Sequence, residues 1–155
     1  MKTNQNVIFL GLGTNVGNKK KNLDKAIRKL KEKVSNIRVS KFYETEPWGY
    51  ENQDKFLNAA VSGVTKLSPS ELLQFVKQIE KEVGRVERFK WGPREIDIDI
   101  LFYNDLMYED SSLVIPHPFL HERKFVLEPL MDLDPNFIHP LFKQTISQLY
   151  EKLKK

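Results

Sequence analysis

The stretch KWGPREIDIDILF, residues 90–102, alternates apolar and acidic side chains. In a β-strand, successive side chains point to opposite faces. One face of this strand would therefore be apolar, and it would carry Ile96, Ile98 and Ile100. The other face would carry Asp97 and Asp99. The apolar face predicts a buried strand over residues 96–102, and the two carboxylates on its other face need a separate explanation.

Asp97 and Asp99 would lie about 6–7 Å apart on such a strand. At an effective dielectric near 20, their mutual repulsion costs roughly 2–3 kcal/mol. Hard divalent cations need such oxygen ligands, and Mg²⁺ typically takes one or two carboxylates together with phosphate oxygens. The alternative interpretations are a solvated strand face or charges that protect a sheet edge from aggregation.

Basic residues crowd the loop before this strand. They are Arg85, Arg88, Lys90 and Arg94. They either form ion pairs with the two aspartates or hold the oxygens of a polyphosphate, with metal ions between phosphate and protein. Further along, His117 lies between two prolines and is suited to donate a hydrogen bond to phosphate. Pro118 argues against a helical metal pair between His117 and His121.

The glycine-rich segment GLGTNVG, residues 11–17, follows a predicted strand. Its spacing misses the dinucleotide fingerprint, and it is not followed by the Lys-Ser/Thr pair of a phosphate loop. We therefore predict a structural turn, with glycines where the backbone needs unusual dihedral angles.

Four aromatic residues lie in or beside predicted loops: Trp48, Phe56, Trp91 and Phe125. Aromatic side chains are mostly core residues, but a planar heterocycle would need stacking surfaces of this kind, with Asn58 reading its polar edge.

Composition restricts the class of protein. The chain has 155 residues with 40% hydrophobic content, enough for one domain with a core, and its net charge of +4 suits an anionic ligand or an ordinary basic protein. The absence of cysteine excludes disulfides, thiol nucleophiles and thiolate zinc sites. Apolar runs stay well below the roughly 18 residues of a membrane span, and the N-terminal VIFLGLG is interpreted as a strand. We expect a cytoplasmic protein.

The pattern of elements predicts an α+β fold. Strands are expected at residues 7–12, 37–43, 56–64 and 96–102, with a loop over residues 44–54. Helices are expected over residues 22–34, from Ser68 to a stop at Gly84, in a short segment at 127–130 and at the C-terminus. This order is the ferredoxin-like β-α-β-β-α-β core: a mainly antiparallel sheet with two long helices on one face, plus C-terminal helices.

The motifs together resemble one enzyme family. WGPREIDIDIL resembles the signature of the 6-hydroxymethyl-7,8-dihydropterin pyrophosphokinases. GLGTNVGNKKKNL, SKFYETEPWG, FLNAAV, EKEVGR and IPHPFLHERKFVLEPL resemble further segments of that family in the same order. The resemblance covers essentially the whole chain, so it implies a single pterin pyrophosphokinase domain over residues 1–155.

The resemblance implies a Mg²⁺-dependent transfer of the β,γ-diphosphate of ATP to the hydroxymethyl group of the dihydropterin. The products would be AMP and the dihydropterin diphosphate, in folate biosynthesis. Two Mg²⁺ ions would bind Asp97 and Asp99, and either carboxylate is a candidate to take up the hydroxyl proton. The expected partners are small molecules only, without nucleic acid or membrane, and the protein is expected to be a monomer.

The resemblance also assigns residues to each substrate. The expected catalytic residues are Arg85, Arg94, Asp97 and Asp99. The expected ATP-binding residues are Glu80, Arg88, Lys90, Trp91, Arg94, Ile100, His117 and Arg123. The expected pterin-binding residues are Thr45, Glu46, Trp48, Phe56, Asn58, Trp91 and Phe125.

Two other classes of protein compete with this interpretation. A ferredoxin-like sheet with exposed aromatics can bind single-stranded nucleic acid. However, the RNA-recognition octapeptide is absent, and Asp97 and Asp99 would repel phosphates unless a metal intervened. A catalytically silent relative is the second alternative, and the intact set of Arg94, Asp97, Asp99 and His117 argues against it.

Overall fold

The computed structural model describes residues 5–46, 53–84 and 95–153, and the structural statements that follow concern those residues. Its main sheet has five strands: β1 (Asn6–Thr14), β2 (Val34–Val39), β3 (Tyr43–Thr45), β4 (Phe56–Thr65) and β5 (Asp97–Tyr103). The strand order is β2-β4-β1-β5, with β3 also paired to β4, and all these pairings are antiparallel. A two-stranded antiparallel sheet follows, formed by β6 (Tyr108–Glu109) and β7 (Val114–Ile115).

The described helices are α1 (Lys19–Leu30), α2 (Pro69–Val83), a 3₁₀ turn at Leu120–Glu122, α3 (Lys124–Leu133) and α4 (Ile146–Leu153). Helix α2 has the predicted ends. The Glu71 amide donates to Ser68 Oγ over 3.2 Å, and the Ser68 amide donates to the Glu71 carboxylate over 2.8 Å. Gly84 ends the helix with a φ of 113°, which favours glycine. The short helix predicted at residues 127–130 is longer in the structure.

The boundaries predicted for the first helix were wrong. Helix α1 begins earlier, because the Asn18 side chain accepts a hydrogen bond from the Lys21 amide over 3.0 Å and caps the helix. It ends at Leu30, and Val34 is the first residue of β2, where it pairs with Thr65. Val34 fits the apolar spacing of the helix. However, it is β-branched, and its pairing with β4 places it in a strand.

The strand predicted over residues 37–43 is two strands in the structure. Strand β2 ends at Val39 and β3 begins at Tyr43. Between them, Ser40 Oγ accepts from the Ala60 amide over 2.8 Å and fixes the connection to β4. Strand β3 extends into the predicted loop, because Thr45 pairs directly with Phe56. This extension brings Thr45 beside the aromatic residue that begins β4.

Two hydrophobic clusters cover opposite faces of the sheet. The alternating residues of β1 divide between them, since Ile8, Leu10 and Leu12 belong to the cluster that includes α1 and α2. Phe9 belongs to the cluster that includes α3 and α4. The predicted α+β class and mainly antiparallel sheet are confirmed. None of the helices in these described ranges is long and apolar enough to cross a bilayer.

Candidate active site

A pocket of about 770 Å³, partly open to solvent, lies over β1, β4 and β5 beside the start of α3. Eight of the residues predicted for substrate or metal binding line it: Thr45, Glu46, Phe56, Asn58, Asp97, Asp99, Arg123 and Phe125. They come from β3, β4, β5 and the segment that enters α3, so segments far apart in sequence meet here.

The floor of the pocket is formed by two glycines of the central strand β1. In the sheet register, Gly13 pairs with Asn58 on one side and with Asp97 on the other, and Gly11 pairs with Asp99. A Cβ atom built at Gly13 would lie 2.8 Å from Asn58 Oδ1, closer than real Cβ contacts allow. Glycine is therefore needed at residue 13 for the close approach of Asn58.

The prediction for GLGTNVG is confirmed at Gly17, which has a φ of 73° after the end of β1. For the two earlier glycines the prediction of a turn was wrong, because β1 continues to Thr14. Gly11 and Gly13 lie inside the strand, two residues apart and on one face, and both line the pocket. The period-two spacing of these glycines was the signal that could have indicated a bare strand face.

The acidic side of the pocket consists of Asp97 and Asp99. Burial raises the pKa of Asp99 to about 7, and the negative charges of Asp97 and Glu80 act in the same direction. The nearby Arg123 and Lys77 oppose this shift. Two hard oxygen donors that repel each other inside a pocket fit a divalent cation. In the described ranges there is no cluster of three or more His, Asp or Glu side chains around a common point.

The opposite side of the pocket offers hydrogen bonds and aromatic surface. Asn58 is buried, and its Nδ2 donates to Thr45 Oγ1 over 2.5 Å. Phe56 and Phe125 line the same cavity. Glu46 lies at its rim, where its carboxylate is 3.5 Å from Lys55 Nζ. A flat, polar-edged ligand would find stacking surface and a fixed amide on this side.

Arg123 supplies a cation to the pocket. Its guanidinium carbon lies 5.4 Å from the ring centroid of Phe119 and 5.8 Å from that of Phe125. Both distances are within the range of cation–π attraction. These contacts connect the cation to the aromatic side of the pocket and help to fix its orientation.

His117 lies beside the pocket without lining it. Burial lowers its pKa to about 4, and the charge of Arg123 acts in the same direction. Its Nδ1 accepts from the Phe119 amide over 3.3 Å. In the neutral ring, the proton is then on Nε2, so this atom is available as a hydrogen-bond donor.

Two further predicted ATP-binding residues do not line the pocket. Ile100 has a buried side chain in the core, so only its backbone is available to a ligand. The carboxylate of Glu80 is also buried and accepts a hydrogen bond from the Ile98 amide over 2.8 Å. Six other predicted site residues lie outside the described ranges: Trp48, Arg85, Arg88, Lys90, Trp91 and Arg94.

Comparisons with known proteins agree on one family. The model of the 7,8-dihydro-6-hydroxymethylpterin-pyrophosphokinase (HPPK) family matches residues 9–135. The 2-amino-4-hydroxy-6-hydroxymethyldihydropteridine pyrophosphokinase of Aquifex aeolicus is 49% identical over 141 residues, which is 91% of this chain and 88% of that protein. The folic acid synthesis protein FOL1 of Dictyostelium discoideum is 44% identical over 144 residues, which is 93% of this chain but 22% of that protein.

A solved structure shows the same fold. The crystal structure of Plasmodium falciparum HPPK-DHPS matches with a TM-score of 0.77 and 20% sequence identity, and the match covers 96% of this chain and 44% of that chain. The sequence resemblance and the prediction of an enzyme are confirmed. The chain belongs to the 7,8-dihydro-6-hydroxymethylpterin-pyrophosphokinase family, which is a family of diphosphotransferases.

Proposed function

We propose that this protein transfers the diphosphate of ATP to 6-hydroxymethyl-7,8-dihydropterin in a Mg²⁺-dependent reaction. The products are AMP and the dihydropterin diphosphate, an intermediate on the way to folate. One observation carries the proposal: the pocket has an acidic side at Asp97 and an amide side at Asn58, separated by the bare backbone of Gly13.

The amide side suits the pterin. A flat ring system fits between aromatic surfaces such as those of Phe56 and Phe125, with its edge toward Asn58 and Thr45. The hydrogen bond from Asn58 to Thr45 fixes the amide orientation before the ligand arrives. Glu46, Trp48 and Trp91 complete the proposed pterin set.

The acidic side suits Mg²⁺ and the phosphates. Asp97 and Asp99 would hold the metal, and we expect two ions. When bound, Mg²⁺ neutralises phosphate charge and lowers the pKa of the attacking hydroxyl. The hydroxyl proton would pass to a carboxylate oxygen of Asp97 or Asp99.

Cationic and donor groups would orient the triphosphate. Arg123 lines the pocket, and the neutral His117 offers its Nε2 proton beside it. We propose that Arg85, Arg88, Lys90 and Arg94 hold the phosphates from the loop before β5, and that Glu80, Trp91 and Ile100 lie near the nucleotide. Since the nucleophile belongs to the substrate, the protein needs positioning and charge neutralisation more than a nucleophile of its own.

The same proposal covers the organisation of the protein. A single domain over residues 1–155 is supported by the family match to residues 9–135. A ferredoxin-like core is supported by the strand order β2-β4-β1-β5 and by the shared cluster of α1 and α2. We also propose a cytoplasmic monomer that acts on small molecules.

The test is a turnover assay that measures AMP in the presence of ATP, the hydroxymethyl dihydropterin and Mg²⁺. We expect AMP release that requires all three and that Asp97→Asn lowers by several orders of magnitude. AMP release that is unchanged after chelation of the metal would contradict the proposal.

A further inference from the structure

Glu80 of α2 contacts the strand that carries the two aspartates. Its carboxylate is 3% exposed, and one of its oxygens accepts a hydrogen bond from the Ile98 amide over 2.8 Å. Ile98 lies between Asp97 and Asp99. The contact therefore acts on the backbone unit that joins the two proposed metal ligands.

The position of β5 in the sheet explains why this contact is needed. Within the described ranges, β5 pairs with β1 along one of its two sides. Asp97 and Asp99 are opposite Gly13 and Gly11 of β1. Backbone amides alternate in direction along a strand, and the Ile98 amide donates to Glu80 of α2, so it is one of those that point away from β1. Glu80 supplies the acceptor that a further strand would otherwise provide.

The energetics favour a fixed contact. A buried carboxylate is costly unless it is hydrogen-bonded, and a bond from an amide to an ionised acceptor is stronger than a neutral bond. The other carboxylate oxygen of Glu80 lies 4.0 Å from Nζ of the exposed Lys77. The amide contact is formed at the second residue of β5, where the strand begins. The contact therefore adds a hydrogen bond on the side of β5 that does not face β1, beside Asp97.

We propose that Glu80 is a positioning residue that fixes the backbone between Asp97 and Asp99 and thereby sets the affinity of the site for Mg²⁺ and nucleotide. This inference rests on the proposed function, because it takes the two aspartates as metal ligands. It assigns Glu80 a role through the Ile98 amide that does not require contact with ATP. Groups that hold metal ligands in place typically change metal affinity by about 10–100-fold when removed.

Two substitutions show whether Glu80 acts as a hydrogen-bond acceptor or through its negative charge. Glu80→Ala removes the acceptor, whereas Glu80→Gln keeps a side-chain oxygen that can accept from the Ile98 amide. Glu82→Gln is the matched control, because Glu82 lies on the same helix, is exposed and pairs with Lys29 over 2.9 Å. The readouts are Mg²⁺ affinity by calorimetry with a non-hydrolysable ATP analogue and the hydrogen exchange rate of the Ile98 amide. A pH of about 8.5 keeps Asp99 ionised above its pKa of about 7.

We expect Glu80→Ala to weaken Mg²⁺ binding by about 10–100-fold and to accelerate exchange at Ile98. Glu80→Gln should stay within about fivefold of the native affinity, the cost of replacing a charged acceptor by a neutral one. Glu82→Gln should match the native protein. If Glu80→Ala does not fold, native affinity and slow Ile98 exchange in Glu80→Gln support the proposal.

The proposal is overturned if folded Glu80→Gln is as weak as Glu80→Ala, because the charge would then act on the ligand. Native affinity in Glu80→Ala, or fast Ile98 exchange with native affinity in Glu80→Gln, overturns it as well. Absence of Mg²⁺-dependent nucleotide binding in the native protein would refute the proposed function instead, whatever the exchange rate of Ile98.

Discussion

Asn58 occupies the space that a side chain at Gly13 would need. The two residues pair across β1 and β4, and a Cβ atom at Gly13 would lie 2.8 Å from Asn58 Oδ1. The position of the Asn58 amide therefore requires a residue without a side chain at Gly13. This relationship keeps the amide side of the pocket next to the sheet and leaves the floor open for a flat ligand.

We predict that Gly13→Ala displaces Asn58 and weakens pterin binding by about 1–3 kcal/mol, the cost of leaving a polar group of the buried ligand without its hydrogen-bond partner. Gly11→Ala is the comparison, because its Cβ would first meet the side chain of Leu101 at 3.4 Å, which is a tolerable distance. Equilibrium binding of the pterin, with the melting temperature as a folding control, distinguishes the two. Native pterin affinity in Gly13→Ala would contradict the role assigned to this contact.

The hydroxyl of Thr45 should matter for the pterin and not for the nucleotide. Thr45→Val removes the acceptor of the 2.5 Å bond from Asn58 and leaves the buried amide without that partner. We expect the KM for the pterin to rise about 5–10-fold, equivalent to about 1–1.4 kcal/mol, with the KM for ATP unchanged. Thr45→Ser keeps the hydroxyl and should behave as the native protein does. Equal kinetics for the Val and Ser variants would count against this role.

Asp99 should lower the stability of the metal-free protein at neutral and alkaline pH. Its pKa is raised from 3.8 to about 7, chiefly by burial, so the folded state binds more protons than the unfolded state between these values. The contribution of this group to stability is therefore lost as pH rises toward 7. We predict that Asp99→Asn, without metal, has a larger free energy of unfolding at about pH 8 than the native protein, by at least about 1 kcal/mol.

Denaturant unfolding of both proteins, with chelator present, measures this difference. Asp105→Asn is the control, because Asp105 is exposed in the turn after β5. After addition of Mg²⁺ and an ATP analogue, the native protein should have the larger free energy of unfolding. Its two carboxylates bind the metal and nucleotide, whereas Asp99→Asn binds them poorly. A metal-free Asp99→Asn variant that is less stable than the native protein at this pH would show that the assigned pKa is wrong.

His139 should make the protein sensitive to acid. It is 2% exposed, its Nδ1 accepts from the Leu141 and Phe142 amides, and burial lowers its pKa to about 4. The unfolded state then binds more protons than the folded state between about pH 6.5 and 4, so stability falls as pH decreases through this range. His139→Asn keeps an acceptor and should reduce this slope by up to about 1.4 kcal/mol per pH unit.

The measurement is the free energy of unfolding against pH for the native protein and His139→Asn. The variant should be less stable at neutral pH, because it loses the stacking of His139 on Phe142, whose ring centroids are 4.4 Å apart. The two curves should converge on acidification. Parallel curves would mean that His139 is not the group that charges.

The sequence predicted the ends of a helix correctly where the contacts that determine them are formed by residues close together in sequence. The capping box of Ser68 and Glu71 and the stop at Gly84 depend on neighbours within one helix, and α2 has the predicted ends. The structure of Val34 depends on Thr65 of β4, which is distant in sequence, so helical periodicity was misleading there. The division between β2 and β3 likewise depends on the contact of Ser40 with Ala60.

The same distinction applies to the site. The period-two alternation around Asp97 and Asp99 was enough to predict that both carboxylates share a face, and both line the pocket. The period-two spacing of Gly11 and Gly13 could indicate a bare strand face, but the residues that flank this floor depend on the register of three strands, which is not a local property. The contact of Glu80 with the Ile98 amide depends on the packing of α2 against β5, which joins segments that are distant in sequence.

The identity of the transferred group tests most directly whether this protein is a diphosphotransferase that acts on the pterin. Phosphorus NMR of a reaction with ATP, Mg²⁺ and the hydroxymethyl dihydropterin would show which bond of ATP is broken. We predict one AMP and one pterin-bound diphosphate for each ATP consumed. ADP with a pterin monophosphate, or inorganic phosphate with unmodified pterin, would show that the protein does not transfer diphosphate to the pterin.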